Sequence, residues 1–486
     1  LADHCHGQVM PGVGEELRDP LEAVEADTLE FGSDAVLIPA MHPRALRLRQ
    51  RIGLHLENLY GHEKEEGLVD QVLDACGLKN QAPAGQDEVK RWDQRDMLMI
   101  AYGDSIRTLS EPPLRTLHRF AQKELKGAIN GVHILPFTPF SSDDGFSVTN
   151  YTTVNPDLGD WPDIEAFSEE FTVMADLVLN HCSSKSAWFA NYLKGASPGK
   201  DYFVEADPQA DLSMVVRPRA HPLLTPFETS EGQKHLWCTF SADQIDLDFR
   251  NPAVLCEFIR IIRKYIDHGV RFFRLDAVAF LWKEPGTDCV HRPQTHEVIR
   301  LLRLIIENLL PDAVIITETN VPNRENLSYF GNDNEAHLIY NFSLPPLLLN
   351  TMLTGNCTHL MSWMMSMPPA RIGRAYLNFI ASHDGIGLRP TEGLLSDEEL
   401  DQLLETLVSF GGTISHRRMP DGNEKPYEAN IALFNAMQGT IAGGADAYQL
   451  DRFICAHTIM LALEGIPAFY VHSLLGTEND HALMEE

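Results

Sequence analysis

The sequence predicts an α/β fold built around a closed barrel of eight parallel strands with helices between them. Eight short apolar runs recur between residues 97 and 471. Amphipathic stretches with helical spacing separate several of these runs, for example 252–268 and 295–310. Eight buried strands alternating with helices are typical of a (β/α)₈ barrel. An open doubly wound sheet is the alternative, because periodicity alone does not separate the two.

The predicted strands are short and bounded by turn residues or by amphipathic stretches. In chain order they cover residues 97–103, 131–137, 173–180, 269–278, 313–319, 337–342, 375–382 and 465–471. Two connections are too long for a simple helical return, and they predict insertions at 182–250, after strand 3, and at 385–430, after strand 7. Insertions of this length usually belong to the loops on the active face of a barrel.

Residues 1–95 follow a different pattern from the rest of the chain. The segment 46–78 carries Leu48, Ile52 and Leu56 at helical spacing, and the following QAPAGQDE at 81–88 predicts a linker. We therefore divide the chain into an N-terminal helical extension with its linker, 1–95, and a catalytic barrel, 96–486.

The charge balance restricts the partners of this protein. The 486 residues include 39 basic and 69 acidic side chains, a formal net charge of −30. Such a surface repels nucleic acids and anionic membranes, so we expect a small-molecule substrate and neither of those partners. Eight scattered cysteines without a CxxC pair predict buried thiols and a cytoplasmic location. The sequence does not indicate an oligomeric state.

Four motifs place polar residues at the ends of predicted strands. They are DLVLNH at 176–181, RFFRLDA at 271–277, TETN at 317–320 and ASHDG at 381–385. All strand ends of a parallel barrel open at one face, so the polar residues of these motifs should converge although they lie far apart in sequence. Several carboxylates in one cleft are expected where one donates a proton and another acts as nucleophile.

These four motifs resemble, in the same order, the conserved regions of the α-amylase superfamily of retaining glycoside hydrolases and transglycosylases. The resemblance runs from about residue 102 to the end of the chain and implies the TIM barrel. It implies that Asp276 is the nucleophile, Glu318 the general acid/base and Asp384 the transition-state stabiliser. It also implies that Arg274 orients the nucleophile and keeps it ionised. His181 and His383 would hold sugar hydroxyls.

Other segments resemble the sucrose phosphorylase branch of this superfamily, chiefly 135–161, 217–227, 237–248, 283–289 and 341–350. By this resemblance, Asp143 holds the glucosyl group, and Phe146 and Phe240 form aromatic platforms. Gln244 would lie on the acceptor side and Arg219, in RPRAH, would bind phosphate. A solvent-exposed loop is the alternative interpretation of RPRAH.

One departure from this branch changes the expected donor. Sucrose phosphorylases carry a Tyr-Gln pair in the second insertion, and here the matching pair is Tyr427-Glu428. This pair, the N-terminal extension and the opening at 92–106 resemble glucosylglycerate phosphorylases of the same branch. Arg417 and Arg418, in SHRRMPDG, could bind a carboxylate or phosphate, and an ordinary exposed loop is the alternative interpretation.

The expected reaction is therefore transfer of glucose from 2-O-α-D-glucosylglycerate to inorganic phosphate with net retention. The alternatives are a sucrose or glucosylglycerol phosphorylase and a retaining α-glucosidase or transglucosidase. A catalytically inactive carbohydrate-binding barrel is a different class, and it is disfavoured by the intact carboxylates. No cofactor or metal is implied. The branch continues into a small C-terminal β-domain, which we expect this sequence to lack.

Overall fold

The computed structural model describes residues 42–62, 67–79, 83–84, 89–219, 221–418 and 423–480. The predictions for residues 1–41 and for most of the linker at 81–88 lie outside these described residues. From Pro43 onward the chain forms one compact unit. The division at residue 95 and the C-terminal domain stay predictions.

Eight parallel strands close into a barrel, as the sequence predicts. We number them β1 to β8 in chain order: Leu98–Ala101, Gly131–Ile134, Thr172–Val178, Val270–Asp276, Val314–Thr317, Leu338–Tyr340, Ala375–Asn378 and Ile466–Tyr470. Each strand pairs with its neighbours in sequence, and β1 closes the ring by pairing with β8, with Leu98 opposite Ala468. The open-sheet alternative is therefore wrong.

The strands are apolar because both of their faces are covered. In β5 all four residues are buried, between the barrel interior on one side and helices on the other. The sequence of a strand covered on both faces is a continuous apolar run and does not alternate between apolar and polar residues. The eight apolar runs of the sequence therefore correspond to the eight strands.

Helices connect the strands and surround the barrel. Those in the described chain are Pro43–Tyr60, Leu68–Ala75, Pro113–Phe120, Trp161–Ser168, Ala187–Leu193, Pro252–Asp267, Pro293–Leu309, Asn323–Leu327, Leu344–Thr354, Thr358–Ser366, Asp397–Ser409, Leu433–Ala436, Gln449–Ala462 and Val471–Leu475. None of them combines the length and apolarity needed to cross a membrane.

The two long connections carry their own small sheets. Between β3 and the Pro252–Asp267 helix, strand His181–Ser183 pairs with Gln244–Asp246, and Leu224–Thr229 forms a hairpin with Gly232–Trp237. After β7, strands Ile386–Gly387, Glu424–Asn430 and Thr413–Arg418 form a three-stranded antiparallel sheet. A further hairpin pairs Gly439–Thr440 with Gly444–Ala445. Residues of the first two insertions reach the mouth of the barrel, as described below.

The N-terminal helices pack on the outside of the barrel. Pro43–Tyr60 packs against the Pro293–Leu309 helix, and Leu68–Ala75 packs against Pro252–Asp267. The buried leucine and isoleucine side chains at helical spacing that the sequence shows, among them Ile52 and Leu56, are part of the barrel's own hydrophobic core.

Candidate active site

A cavity of about 200 Å³ opens at the carboxyl ends of the strands. Thirteen of the fifteen residues predicted from the sequence line it: Asp143, Phe146, His181, Arg219, Phe240, Gln244, Arg274, Asp276, Glu318, His383, Asp384, Tyr427 and Glu428. The structure therefore brings together residues from the carboxyl-terminal sides of five strands, β2, β3, β4, β5 and β7, and from both insertions.

Arg274 and Asp276 of β4 lie at the centre of this site. Side chains two residues apart on a strand point to the same side, so both point into the barrel mouth. The register places Asp176 of β3 opposite Arg274. Nη1 of Arg274 donates to Oδ1 of Asp176 at 2.5 Å and to Oδ1 of Asp276 at 2.8 Å. Nε2 of His133, on β2, lies 2.8 Å from the other oxygen of Asp176.

The carboxyls of this cluster differ in their pKa. Burial would raise the pKa of Asp176, but His133 and Arg274 lower it to about 2. Burial raises the pKa of Asp276 well above its ordinary value, against the effect of Arg274 and with a further rise from Glu318. Burial likewise raises the pKa of Glu318. The role of Arg274 in keeping Asp276 ionised stays a prediction, because burial and the charge of Glu318 act against Arg274 at this position.

Glu318 follows β5 and is held by a strained turn next to Asp276. Ala277 has φ 47° and ψ 28°, in the left-handed region that residues other than glycine rarely adopt. Its N–H donates to Oε2 of Glu318 at 2.9 Å. The turn thus joins the residue after Asp276 to Glu318, and strain of this kind is common at functional sites.

Asp384 lies at the more open side of the cavity. Its side chain is 43% exposed, and Oδ2 lies 3.9 Å from Nη2 of Arg274 and 3.4 Å from Nε2 of His383. Arg274 therefore has three carboxylates around it, on residues 176, 276 and 384.

Aromatic rings form one wall of the site. The ring of Phe146 stacks on His383 with centroids 5.1 Å apart and planes 6° apart. The guanidinium of Arg274 lies 5.6 Å from the Phe146 ring and 5.5 Å from that of Tyr340. Tyr102 contacts His383 edge-on at 5.9 Å. An apolar ring face beside polar groups suits the flat apolar side of a sugar ring.

Asp143, His181 and Gln244 form a connected group beside this wall. Nε2 of Gln244 donates to Oδ2 of Asp143 at 2.8 Å and lies 3.1 Å from Nε2 of His181. Phe240 packs against His181 at 5.2 Å. Gln244 thus contacts the two residues assigned to the glucosyl group, and its assignment to the acceptor side stays a prediction.

A buried ion pair lies next to His181, whose Nδ1 is 3.3 Å from Nδ2 of Asn180. Nζ of Lys283 donates to Oδ1 of Asn180 at 2.5 Å and lies 2.7 Å from Oδ2 of Asp246. All three side chains are buried. Within the described residues no group of three or more histidine, cysteine or acidic side chains is placed to hold a metal ion. The positive charge beside Asp246 is that of the Lys283 side chain.

Tyr427 and Glu428 reach the cavity from the second insertion. They lie on strand Glu424–Asn430, where Glu428 is opposite Gly387. Burial raises the pKa of Glu428 to about 8, with further contributions from Asp384, Glu318 and Asp143, while Arg219 acts in the opposite direction. Glu428 is therefore mostly protonated at pH 7.

The predicted arginines occupy different positions. Arg219 is exposed and lines the cavity. Arg417 does not line it, and its Nη2 donates to Oε1 of Glu392 at 2.5 Å. The backbone of Arg418 belongs to the Thr413–Arg418 strand, and its side chain lies outside the described residues, as do residues 419–422 of the same motif.

Sequence reasoning missed several residues of this site. Asp176 stands in the DLVLNH motif, and its position on the strand, directly opposite Arg274, could have indicated its role. Asn320, the last residue of TETN, also lines the cavity, as do Asp144 and Phe342 in segments 135–161 and 341–350, but none of the three carries a signal of its own.

Comparison with known proteins agrees with this architecture. The α-amylase catalytic-domain family matches residues 123–384. The glucosylglycerate phosphorylase of Allomeiothermus silvanus is 44% identical over 441 residues, which are 90% of this chain and 78% of that protein. The glucosylglycerate phosphorylase of Escherichia coli is 43% identical over 445 residues, which are 90% of this chain and 78% of that protein.

Among solved structures, the sucrose 6F-phosphate phosphorylase from Thermoanaerobacter thermosaccharolyticum is similar with a TM-score of 0.72 at 25% identity. The match covers 82% of this chain and 81% of that one. Together with the barrel and the convergent strand-end carboxyls, these similarities show that the chain belongs to the α-amylase family.

Proposed function

We propose that this protein is a retaining phosphorylase that transfers glucose from 2-O-α-D-glucosylglycerate to phosphate, giving α-D-glucose 1-phosphate and D-glycerate. The observation that carries the proposal is the pair of carboxyls, Asp276 and Glu318, at the ends of neighbouring strands in a cavity that Arg219 also lines. The similarity to glucosylglycerate phosphorylases over most of the chain supports this donor.

In the first half-reaction, a carboxylate oxygen of Asp276 attacks C1 of the glucosyl group. The bond between C1 and the glycerate oxygen breaks, and Glu318 gives its proton to that oxygen. This assignment places the proton of the pair on Glu318, because Asp276 accepts a hydrogen bond from a guanidinium and Glu318 accepts one from a neutral backbone N–H.

In the second half-reaction, a phosphate oxygen attacks C1 and the bond to Asp276 breaks. Glu318, now a carboxylate, takes the proton of the attacking phosphate. Two displacements at C1 give net retention. Asp384 and Arg274 would stabilise the charges that develop, and His181, His383 and Asp143 would hold the sugar hydroxyls, with the rings of Phe146 and Phe240 beside them.

Phosphate must compete with water, which is in large excess. It can do so only if the site concentrates and orients it. In a chain of charge −30 this attraction has to come from nearby cations. We assign this role to Arg219, which can bind two phosphate oxygens at once, with help from Tyr427 on the opposite insertion.

The decisive measurement is product release from a panel of donors with and without phosphate. We expect glucose 1-phosphate from glucosylglycerate, and slower or no release from sucrose and glucosylglycerol. Asp276→Asn should abolish turnover, and Glu318→Gln should impair glucosylglycerate far more than glucosyl fluoride, whose leaving group needs little protonation. Free glucose released at one rate with and without phosphate would leave a retaining glucosidase.

Arg219→Ala tests the phosphate site separately. We expect a higher KM for phosphate and a larger hydrolysed fraction, with a smaller effect on the first half-reaction. Arg250→Ala is the matched control, because Arg250 lies in the same insertion and pairs with its neighbour Asp248. An equal rise in the KM for phosphate in Arg219→Ala and Arg250→Ala would contradict the assignment of Arg219 to phosphate.

We also propose a cytoplasmic location. The seven cysteines in the described part of the chain are free thiols, which suits a reducing compartment.

A further inference from the structure

Asn320 stands two residues after Glu318 and lines the cavity beside it. The turn that carries Asn320 is fixed by its neighbours. Oγ1 of Thr319 donates to Oδ1 of Asn326 at 2.7 Å, and Nδ2 of Asn326 donates to the carbonyl of Tyr340 at 2.7 Å. The position of Asn320 after β5 is therefore set by hydrogen bonds within the protein.

The side-chain oxygen of Asn320 lacks a hydrogen-bond donor. Oδ1 is buried and accepts no hydrogen bond from the described residues. Most buried polar atoms of a folded protein have a partner, because a polar atom that is removed from water without one is costly. An exception in the wall of a binding cavity is explained when the ligand itself supplies the donor.

The second insertion packs closely against the amide of Asn320. Gly387 lies opposite Glu428 in the small antiparallel sheet of this insertion. A methyl group on the α-carbon of Gly387 would lie 2.5 Å from Oδ1 and 2.7 Å from Nδ2 of Asn320, which is too close for two non-bonded atoms. Glycine at 387 therefore allows the amide to fit between the insertion and the cavity. This packing leaves the cavity as the side from which a donor can reach Oδ1.

The neighbouring Glu318 indicates which part of the substrate lies on this side of the cavity. In the proposed reaction Glu318 exchanges its proton with the oxygen that joins glucose to its partner, so a residue beside Glu318 faces glycerate or phosphate. An amide oxygen needs a hydroxyl or an N–H group as its donor. The proton of the attacking phosphate goes to Glu318, and the carboxylate of glycerate carries none. The hydroxyl on C3 of glycerate is therefore the donor that remains for Oδ1.

We propose that Asn320 determines specificity by accepting a hydrogen bond from the C3 hydroxyl of D-glycerate. This proposal rests on the proposed function and adds to it a residue that recognises the leaving group. The fixed turn and the close packing of Gly387 hold the amide in place. A ligand without the C3 hydroxyl therefore leaves Oδ1 buried and unpaired in the complex, and a site of this kind discriminates strongly against such an analogue.

The test is synthesis from glucose 1-phosphate with D-glycerate and with D-lactate, which has the same configuration at C2 and lacks only the C3 hydroxyl. We expect the wild type to prefer D-glycerate in kcat/KM by about ten- to a hundredfold. Asn320→Ala should reduce this preference to about threefold or less, through a loss with D-glycerate alone. The KM for phosphate in the reverse direction should hardly change. Asn323→Ala is the matched control, because Asn323 does not line the cavity and its Nδ2 contacts Sδ of Met367.

The outcomes separate the two proposals. A wild type that forms no product from D-glycerate would contradict the proposed function and, with it, this inference. If product forms from D-glycerate, an equal kcat/KM for D-lactate would overturn this inference alone. A preference that Asn320→Ala leaves intact would also overturn it, as would an equal loss with both acceptors, which would indicate a purely structural role.

Gly387→Ala is the second variant if Asn320→Ala does not fold. The new methyl group would displace the side chain of Asn320 from the opposite side, while the amide itself is retained. We expect the same fall in the preference for D-glycerate over D-lactate. An unchanged preference in Gly387→Ala would overturn the inference.

Discussion

Arg274 shows how single residues set the chemistry of this site. It contacts the carboxylates of Asp176 and Asp276 directly and lies within 4 Å of Asp384. Burial raises the pKa of Asp276 and of Glu318 above their ordinary values, against the effect of Arg274 and with further rises from the neighbouring carboxyls. In the proposed steps, this raised pKa is what suits Glu318 to the role of proton donor.

Glu428 gives a prediction for the dependence on pH. Its pKa of about 8 means that it is protonated at pH 7 and becomes a carboxylate as the pH rises. The new charge would lie near Asp384, Glu318 and Asp143, with Arg219 as the opposing cation. Because D-glycerate stays ionised throughout this range, we expect its KM to rise between pH 7 and pH 9.

Glu428→Gln removes this titration and is the control for it. The variant should bind D-glycerate with a KM that changes less between the same two pH values. A wild-type KM that stays flat from pH 7 to pH 9 would show that Glu428 does not titrate in this range or does not face the acid.

At the scale of elements, Asp243 joins three loops at the cavity. Its carboxylate accepts hydrogen bonds from Ser141 and Ser142 at 2.5 Å, from Ser147 at 2.8 Å and from Ser184 at 2.5 Å. Burial alone would raise the pKa of Asp243, but these hydroxyls lower it to about 2. The loops that carry Asp143 and Gln244 are thereby fixed relative to each other.

We expect Asp243→Asn to loosen this connection. An amide presents one acceptor oxygen, so at least one serine hydroxyl loses its charged partner, at a cost of about 1.5–3 kcal/mol in the free energy of unfolding. Because residues 143 and 244 flank these loops, the KM for the glucosyl donor should rise as well. Thermal unfolding and steady-state kinetics measure the two effects. Asp207→Asn, at an exposed turn of the same insertion, should change neither.

At the scale of the whole molecule, Glu297 connects the Pro43–Tyr60 helix to the helix layer of the barrel. Its Oε1 accepts from Asn58 and lies 2.8 Å from Nδ1 of His55, and its Oε2 accepts from Arg300 at 2.8 Å. Tyr60 adds a hydrogen bond to the carbonyl of Phe249. These contacts attach the Pro43–Tyr60 helix to the outside of the barrel.

Glu297→Gln should lower the melting temperature and leave kcat unchanged. Burial would raise the pKa of Glu297, but its partners lower it from 4.5 to about 2. A carboxyl with a lowered folded-state pKa stabilises the fold above pH 4.5, and this contribution is lost as the pH falls toward 2. The difference in melting temperature between the wild type and Glu297→Gln should therefore be largest above pH 5 and should shrink toward pH 3. Glu57→Gln, at an exposed site on the same N-terminal helix, should show no such trend.

The sequence predicts the barrel and most of the cavity for a physical reason. Parallel strands buried on both faces leave unmistakable apolar runs, and their ends converge by topology, so Asp276 and Glu318 could be placed together. Asp243 could not be found in this way. Its importance comes from contacts across loops far apart in sequence, which neither periodicity nor spacing records. For the same reason the sequence predicted that Arg417 could bind the carboxylate of the substrate, whereas in the structure Arg417 pairs with Glu392.

Closure of the barrel by β1 and β8 has a consequence for biosynthesis. The last strand ends roughly 370 residues after the first begins, and a ribosome that adds about 5–20 residues per second needs roughly 20–75 s for that distance. Until then β1 has an open edge, with unpaired N–H and C=O groups that could pair with another chain. The nascent protein must pass through this interval with its edge strand uncovered, so its yield in a cell should depend on chaperones and on translation speed more than its final stability would suggest.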